Sequence, residues 1–302
     1  MIADLLNILS NTLVSMVPLT LAAVGEIITE KSGVVNIGLE GIFILSAFTS
    51  TVVTFHTGNP YLGLIIGLLV GALSGVLHGI ISVYLKGDQI IAGVGFNSLA
   101  YGISILSLVS IWHSHGSSPS VDKIPMIGKG SFFVSPLTPI AIIIGIVVWW
   151  WLERTPSGLK LRACGEDPRA AEAMGVNVYR VRFYATVLGA SLTGLGGAYL
   201  VVGWIGQFTK FISAGRGFIA LANVAFSNWN PLMAIIGGFI FGFFDALAIY
   251  LPIKIQQMSG RVITAESNLF RTIPYLATLI IVALIMKKVR MPRALGKPYI
   301  KE

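Results

Sequence analysis

Glu40, Asn97, Asn223 and Asp245 lie within or beside long apolar runs, where a polar side chain has few natural partners. A carboxylate at the centre of a bilayer costs about 3 kcal/mol on insertion scales, so such groups face a cavity or a polar neighbour. Two chemistries fit them. They line a path and hydrogen-bond the hydroxyls and ring nitrogens of a passing solute, or they join helices through hydrogen bonds that fix packing. Phe96, Trp204, Phe218 and Trp229 are candidates to stack against a base or sugar, whereas Trp149, Trp150 and Trp151 read as interfacial anchors. Gly215 and Gly217 flank Arg216 and allow a tight turn. A guanidinium there fits a carboxylate on a docked extracellular protein, or holds a hairpin. Covalent chemistry is not indicated, for the sequence has no G-x-x-x-x-G-K-[ST], no H-E-x-x-H and no G-x-S-x-G. His113 and His115 have no third ligand nearby, so no metal site is expected. Cys164, the sole cysteine, excludes an internal disulfide and reads as a cytosolic thiol.

The elements that position these residues follow from composition. Of 302 residues, 55% are hydrophobic and 11% charged, whereas a soluble domain has about 25% charged residues. The mean hydropathy of +0.82 and 34 glycines agree with membrane helices packed through small side chains. Bilayer is the expected solvent. Apolar runs at 5–24, 37–55, 61–85, 90–112, 136–152, 183–205, 231–251 and 273–287 are long enough, or nearly so, to span it. The first run lacks a basic start and does not read as a signal peptide. The net charge of +8 lies between these runs rather than on one face, which argues against nucleic acid.

Arg154, Lys160, Arg162, Arg169, Arg180 and Arg182 crowd the stretch 153–182, and Lys287, Lys288, Arg290, Arg293, Lys297 and Lys301 crowd the tail. Both stretches are expected in the cytoplasm, with 113–135 and the N-terminus outside. An even number of crossings between Arg182 and Lys287 then requires 216–227 to serve as a half-length or broken helix. Glu26, Glu30 and Lys31 interrupt the pattern at 25–36, predicting a cytoplasmic turn or an interrupted helix. The segments 33–43 and 215–226 echo one another, both apolar and punctuated by glycine. No repeat is assigned to them, although transporters commonly place interrupted segments at the substrate site.

Local chemistry is clearest at 162–182. Asp167 can cap a helix that starts at Pro168, continues through Ala170, Ala171, Glu172 and Met174, and stops at Gly175. Two turns are marginal alone in water, so the reading is either a capped surface turn or a docking helix, centred on Ala171, for a cytoplasmic partner.

At Arg162-Ala163, Gly165, Asp167-Pro168, Ala170-Ala171 and Gly175-Val176 the chain resembles the coupling loop of ABC-importer permeases. The branch is the one that serves branched-chain amino acids, simple sugars and nucleosides. Glu26-Ile-Ile-Thr-Glu30-Lys-Ser-Gly-Val-Val-Asn36-Ile-Gly-Leu-Glu40-Gly41 resembles the N-terminal signature of the nucleoside and simple-sugar permeases. Ala214-Gly215-Arg216-Gly217-Phe218-Ile219-Ala220-Leu221-Ala222, followed by Asn230-Pro231, resembles their second signature. Ser227-Asn228-Trp229 keeps that signature's aromatic residue and lacks its base. The resemblance covers about 15–287.

It implies an all-α polytopic membrane protein of about eight transmembrane helices plus short broken or re-entrant ones. Residues 1–302 would form a single permease domain in a prokaryotic cell membrane. It also implies two ABC ATPase domains that bind the ATP, a second permease subunit in a heterodimer, an extracytoplasmic substrate-binding protein or lipoprotein, and no cofactor on this chain. Asp167, Pro168, Ala170, Ala171, Glu172, Met174 and Gly175 would contact the ATPase. Asn36, Glu40, Phe96, Asn97, Asn223 and Asp245 would line the path for a nucleoside. A simple sugar or a branched-chain amino acid is the alternative within the family. Outside it, the alternative is an autonomous carrier that uses Glu40 and Asp245 as proton sites.

Overall fold

The computed structural model describes residues 2–130, 132–259, 267–270, 272–285 and 290–301. Helix α1, Ile2–Lys31, forms the axis of the bundle and is buried from Val14 almost to its end. Its 30 residues extend about 45 Å at 1.5 Å per residue. The helix does not break at its acidic residues, because each carboxylate meets a donor. Glu26 accepts from the Asn36 backbone N–H at 2.8 Å and Glu30 from the Trp229 indole N–H at 2.5 Å. The interruption comes later, in an irregular turn at 32–38.

Beyond the turn follow α2 Leu39–Thr57, α3 Pro60–Gly79, α4 Gln89–Trp112, α5 Leu137–Arg154, α6 Pro156–Glu166, α7 Pro168–Ala173 and α8 Val178–Tyr199. Wide π-turns extend α3 over Ile80–Tyr84 and α8 over Leu200–Ile205. The chain continues with α9 Arg216–Phe226, α10 Pro231–Ser259, α11 Ser267–Phe270 and α12 Ile273–Ile285. Among the described residues, seven helices are long and apolar enough to cross a membrane. The expected eighth run, 273–287, is matched by α12 as far as Ile285; positions 286 and 287 of that run lie outside the described residues. At 11 residues, α9 is about 16 Å long, half a bilayer.

Small residues set the spacing between helices. Gly67, Gly71 and Gly75 of α3 lie against Ala190, Gly194 and Ala198 of α8, and a Cβ built on Gly194 would stand 2.4 Å from the Gly67 carbonyl oxygen. Backbones this close gain van der Waals contact that bulkier side chains would prevent.

The turns segregate to two ends. One end gathers 31–36, 78–89, 153–182 and 290–301, tied by Lys31–Glu153 at 2.8 Å, Val35 N–H to Gln89 at 2.7 Å and Ala294 N–H to Gly165 O at 2.9 Å. The other gathers 113–135 with the end of α8, through Ser118 N–H to Phe208 O and Val121 N–H to Gly206 O. Here the all-α architecture also carries a short hairpin. Ile127–Lys129 (β1) pairs antiparallel with Phe132–Val134 (β2), Ile127 facing Val134. Gly128 and Gly130, at φ 124° and 67°, supply the conformations the hairpin needs. Its Phe133 N–H reaches Ser10 of α1 at 2.9 Å.

Candidate functional site

After α8 the chain turns back into the bundle, and α9 begins at its interior. The residue before α9, Gly215, is left-handed at φ 72°. The first N–H groups of a helix have no partner of their own. Here a carboxylate from α2 supplies one. Glu40 Oε1 accepts from Ser213 Oγ at 2.5 Å and Gly215 N–H at 2.8 Å, while Oε2 accepts from Gly217 N–H at 2.8 Å. Negative charge at this end also suits the helix dipole. Gly217 has to be glycine for a second reason: a Cβ would lie 2.5 Å from the Glu40 nitrogen. The two segments that echo one another in sequence therefore meet here.

Arg216 engages a second carboxylate. Its Nη2 reaches Asp245 of α10 at 2.9 and 3.2 Å, and Nη1 donates to the carbonyls of Ile212 and Ser213. The guanidinium also stands 4.9 Å from the centre of the Trp204 ring. Arg216 is 8% exposed, so the hairpin-brace reading applies and an extracellular carboxylate is not its partner in this conformation.

Two open clefts flank the segment. The larger, about 650 Å³, takes Arg216 and Asp245 in its wall with Ile205, Ile249 and Tyr275. The smaller, about 340 Å³, is lined by Glu40, Asn97, Tyr101 and Phe218. Lys210, Phe211 and Ala214 contribute to both.

The sequence-derived path residues divide between clefts and packing. Glu40 and Asn97 reach one cleft and Asp245 the other. Asn97 also joins α4 to α2, accepting from Gly41 N–H at 2.7 Å and donating to Ile37 O at 3.0 Å. Asn36 is buried and shapes the turn, its Oδ1 accepting from Gly38 N–H. Phe96 packs on the core beside Gly38. Asn223 is fully buried and donates to Ala234 O at 2.9 Å, fastening α9 to α10 away from both clefts. Trp229 is held by Glu30, whereas Phe218 is exposed to the smaller cleft. Lys210, Phe211, Ser213, Tyr101 and Tyr275 were not among the sequence candidates. For Ser213 the adjacent Ala-Gly-Arg-Gly turn was a usable signal.

At the end that holds 153–182, α7 has the expected cap and stop. Asp167 accepts from the N–H groups of Arg169 and Ala170 at 3.1 and 3.0 Å. Gly175, at φ 82°, closes the helix with Gly175 N–H to Glu172 O and Val176 N–H to Ala171 O. Ala171, expected at the centre of a docking face, turns inward onto Cys164, Val178 and Tyr299. The outward face carries Ala170, Ala173 and Met174, the last 85% exposed. Burial also pushes the Cys164 thiol up to about 11, so it stays a protonated, enclosed thiol at neutral pH.

The C-terminal segment folds back over this helix. Glu172 accepts from the Tyr299 hydroxyl and pairs with Lys301 at 3.1 Å. Tyr299 and Lys301 hold the Glu172 carboxyl below its ordinary range, and the same contact raises the Tyr299 hydroxyl to about 12. The carboxylate and the phenol thus both keep their bonding forms across the neutral range.

Residues 8–286 match the family described as branched-chain amino acid transport system / permease component. The nucleoside ABC transporter permease protein NupC of Lactococcus lactis is 34% identical, over 97% of this chain and 96% of its own. The guanosine ABC transporter permease protein NupQ of Bacillus subtilis is 33% identical over 99% of each. A putative glucose ABC transporter permease protein of Haloferax volcanii is 32% identical over 80% of this chain and 77% of its own.

Proposed function

The chain belongs to the family of branched-chain amino acid transport system permease components, and on that premise we propose that it forms the translocation path of an ABC importer for nucleosides. The observation that carries this reading is the pair of relatives named for nucleoside and guanosine transport, each matched across nearly the whole chain. The clefts beside α9 support it. Asp245, in the largely apolar wall of the larger cleft, keeps acceptor capacity beyond its bonds to Arg216, which suits the N–H donors on the edge of a nucleobase. Phe211, Phe218 and Tyr101 offer aromatic surface nearby.

The partners are two ATPase domains docked at α7, a second permease subunit that closes the open side of the clefts, and an extracytoplasmic binding protein or lipoprotein that delivers solute. ATP binding draws the docked helices together and opens the path outward; loss of the hydrolysis products returns it inward. The test is uptake of labelled uridine and adenosine by cells that carry the whole transporter, challenged with ribose, galactose and leucine. Unlabelled nucleosides should compete and the other three should not. Nucleoside uptake that is absent, or abolished by ribose or leucine, defeats the assignment. A simple sugar is the second reading, favoured by the glucose permease relative.

The end that gathers 153–182 and 290–301 faces the cytoplasm in this proposal, and the N-terminus lies outside. Lys160 is exposed on α6. Lys160→Cys should react with an impermeant maleimide only after the membrane is opened, against the low background expected of buried Cys164. Labelling from outside intact cells would reverse the orientation.

A further inference from the structure

We propose that the C-terminal segment 290–301 is a strut that fixes α7 and links it to the turn after α1, which makes Tyr299 and Glu172 positioning residues for energy coupling. The inference rests on the reading of α7 as the ATPase-docking helix and adds the route by which its movement leaves the loop.

A six-residue helix has little hold on the molecule by itself. Two attachments are seen. One is apolar: Ala171 sits against Cys164, Val178 and the Tyr299 ring. The other is polar: Glu172 is held by the Tyr299 hydroxyl and the Lys301 ammonium. Tyr299 belongs to both, so the far end of the chain contributes to each attachment, beside Cys164 of α6 and Val178 of α8. The Tyr299 carbonyl in turn accepts from the Tyr179 hydroxyl at 3.3 Å, which anchors the segment to α8.

The same segment grips the bundle at its other end. Arg182, 2% exposed, donates through Nη1 to Lys297 O at 2.9 Å and through Nη2 to Cys164 O at 3.1 Å. Gly296 N–H reaches Gly33 O at 3.1 Å. Gly33 also packs against the Arg182 guanidinium, since a Cβ there would lie 2.5 Å from Nη2. From Gly33 the chain runs through the 32–38 turn, held by Asn36 and Glu26, to Glu40 in α2, whose carboxylate holds the start of α9. A continuous set of bonded groups therefore connects α7 to the helix between the two clefts. This bonded set is the route along which movement of α7 reaches the start of α9 in this proposal.

The test uses the assembled transporter and reads uptake per ATP hydrolysed. Tyr299→Phe combined with Lys301→Ala keeps the ring and removes the polar clasp. Permease abundance and ATPase co-purification should match wild type, while solute moved per ATP falls roughly tenfold, the factor of one charge-assisted hydrogen bond. Glu172→Ala should show the same loss. Glu172→Gln, which still accepts from Tyr299, should restore most of the coupling. Adding Glu172→Ala to the Tyr299→Phe, Lys301→Ala pair should cost nothing further, because the variants break one link. Unchanged transport per ATP in the clasp variant overturns the proposal. So does a parallel fall of abundance, hydrolysis and uptake, which would mark a structural contact alone. Failure of the docking reading shows elsewhere, as ATPase co-purification that survives Met174→Arg.

Discussion

Glu40→Ala is expected to reduce uptake to background while the permease is still inserted. The substitution strips the acceptor from three donors: Ser213 Oγ, Gly215 N–H and Gly217 N–H. A buried donor left without a partner costs about 1–3 kcal/mol, and bonds to a charged acceptor lie at the upper end of that range. The smaller cleft gives water some access to the site, so the expected loss is on the order of 3 kcal/mol rather than the sum of three full penalties. Glu40→Gln should fall between, because its amide keeps one acceptor oxygen and sets an NH₂ group against a backbone N–H. Gly217→Ala should resemble Glu40→Ala by a different cause, since its methyl overlaps the α2 backbone. The measurements are denaturant titration of the purified transporter and uptake by the same preparations. Wild-type stability and uptake in Glu40→Ala would show that α9 does not depend on this carboxylate.

What the sequence makes legible depends on the distance over which each feature is determined. Hydropathy depends on neighbours, and the apolar runs correspond to helices, with most ends within a few residues but α1 and α10 continuing well past the runs at 5–24 and 231–251. Capping is local too, so Asp167, Pro168 and Gly175 bound α7 as expected. Apart from the short hairpin at 127–134, whose pairing is local, the failures involve partners remote in sequence. Glu26 and Glu30 look like a break in an apolar helix, and nothing within the run shows that Trp229, 199 residues on from Glu30, waits to bind it. Glu40 and Asp245 stand out as intramembrane carboxylates, yet their distinct tasks depend on Gly215, Gly217 and Arg216, brought in by a re-entrant helix. Asn223 carries the same sequence signal as Asn97. One packs α9 on α10 and the other reaches a cleft, a difference set by helix rotation.

The outward face of α7 gives the other large expected effect. Met174→Arg should abolish ATPase co-purification and lower uptake more than tenfold, with permease abundance unchanged, if a tight apolar contact at this face must accept a guanidinium. Met174 is 85% exposed, so the free permease bears almost no cost from the substitution. Ala170→Arg, on the same exposed face, should act alike. Ala171→Arg should behave differently. Its side chain would enter the cluster of Cys164, Val178 and Tyr299, where overpacking and a buried charge together cost about 3 kcal/mol or more. That variant should lose abundance and release the C-terminal segment before any docking is at issue, so its loss of uptake says nothing about the ATPase. The comparison separates a docking surface from a helix that needs only to fold. ATPase co-purification and uptake near wild type in both Met174→Arg and Ala170→Arg would remove α7 from the interface. Loss in those two with intact abundance leaves contact with the ATPase as the step they block.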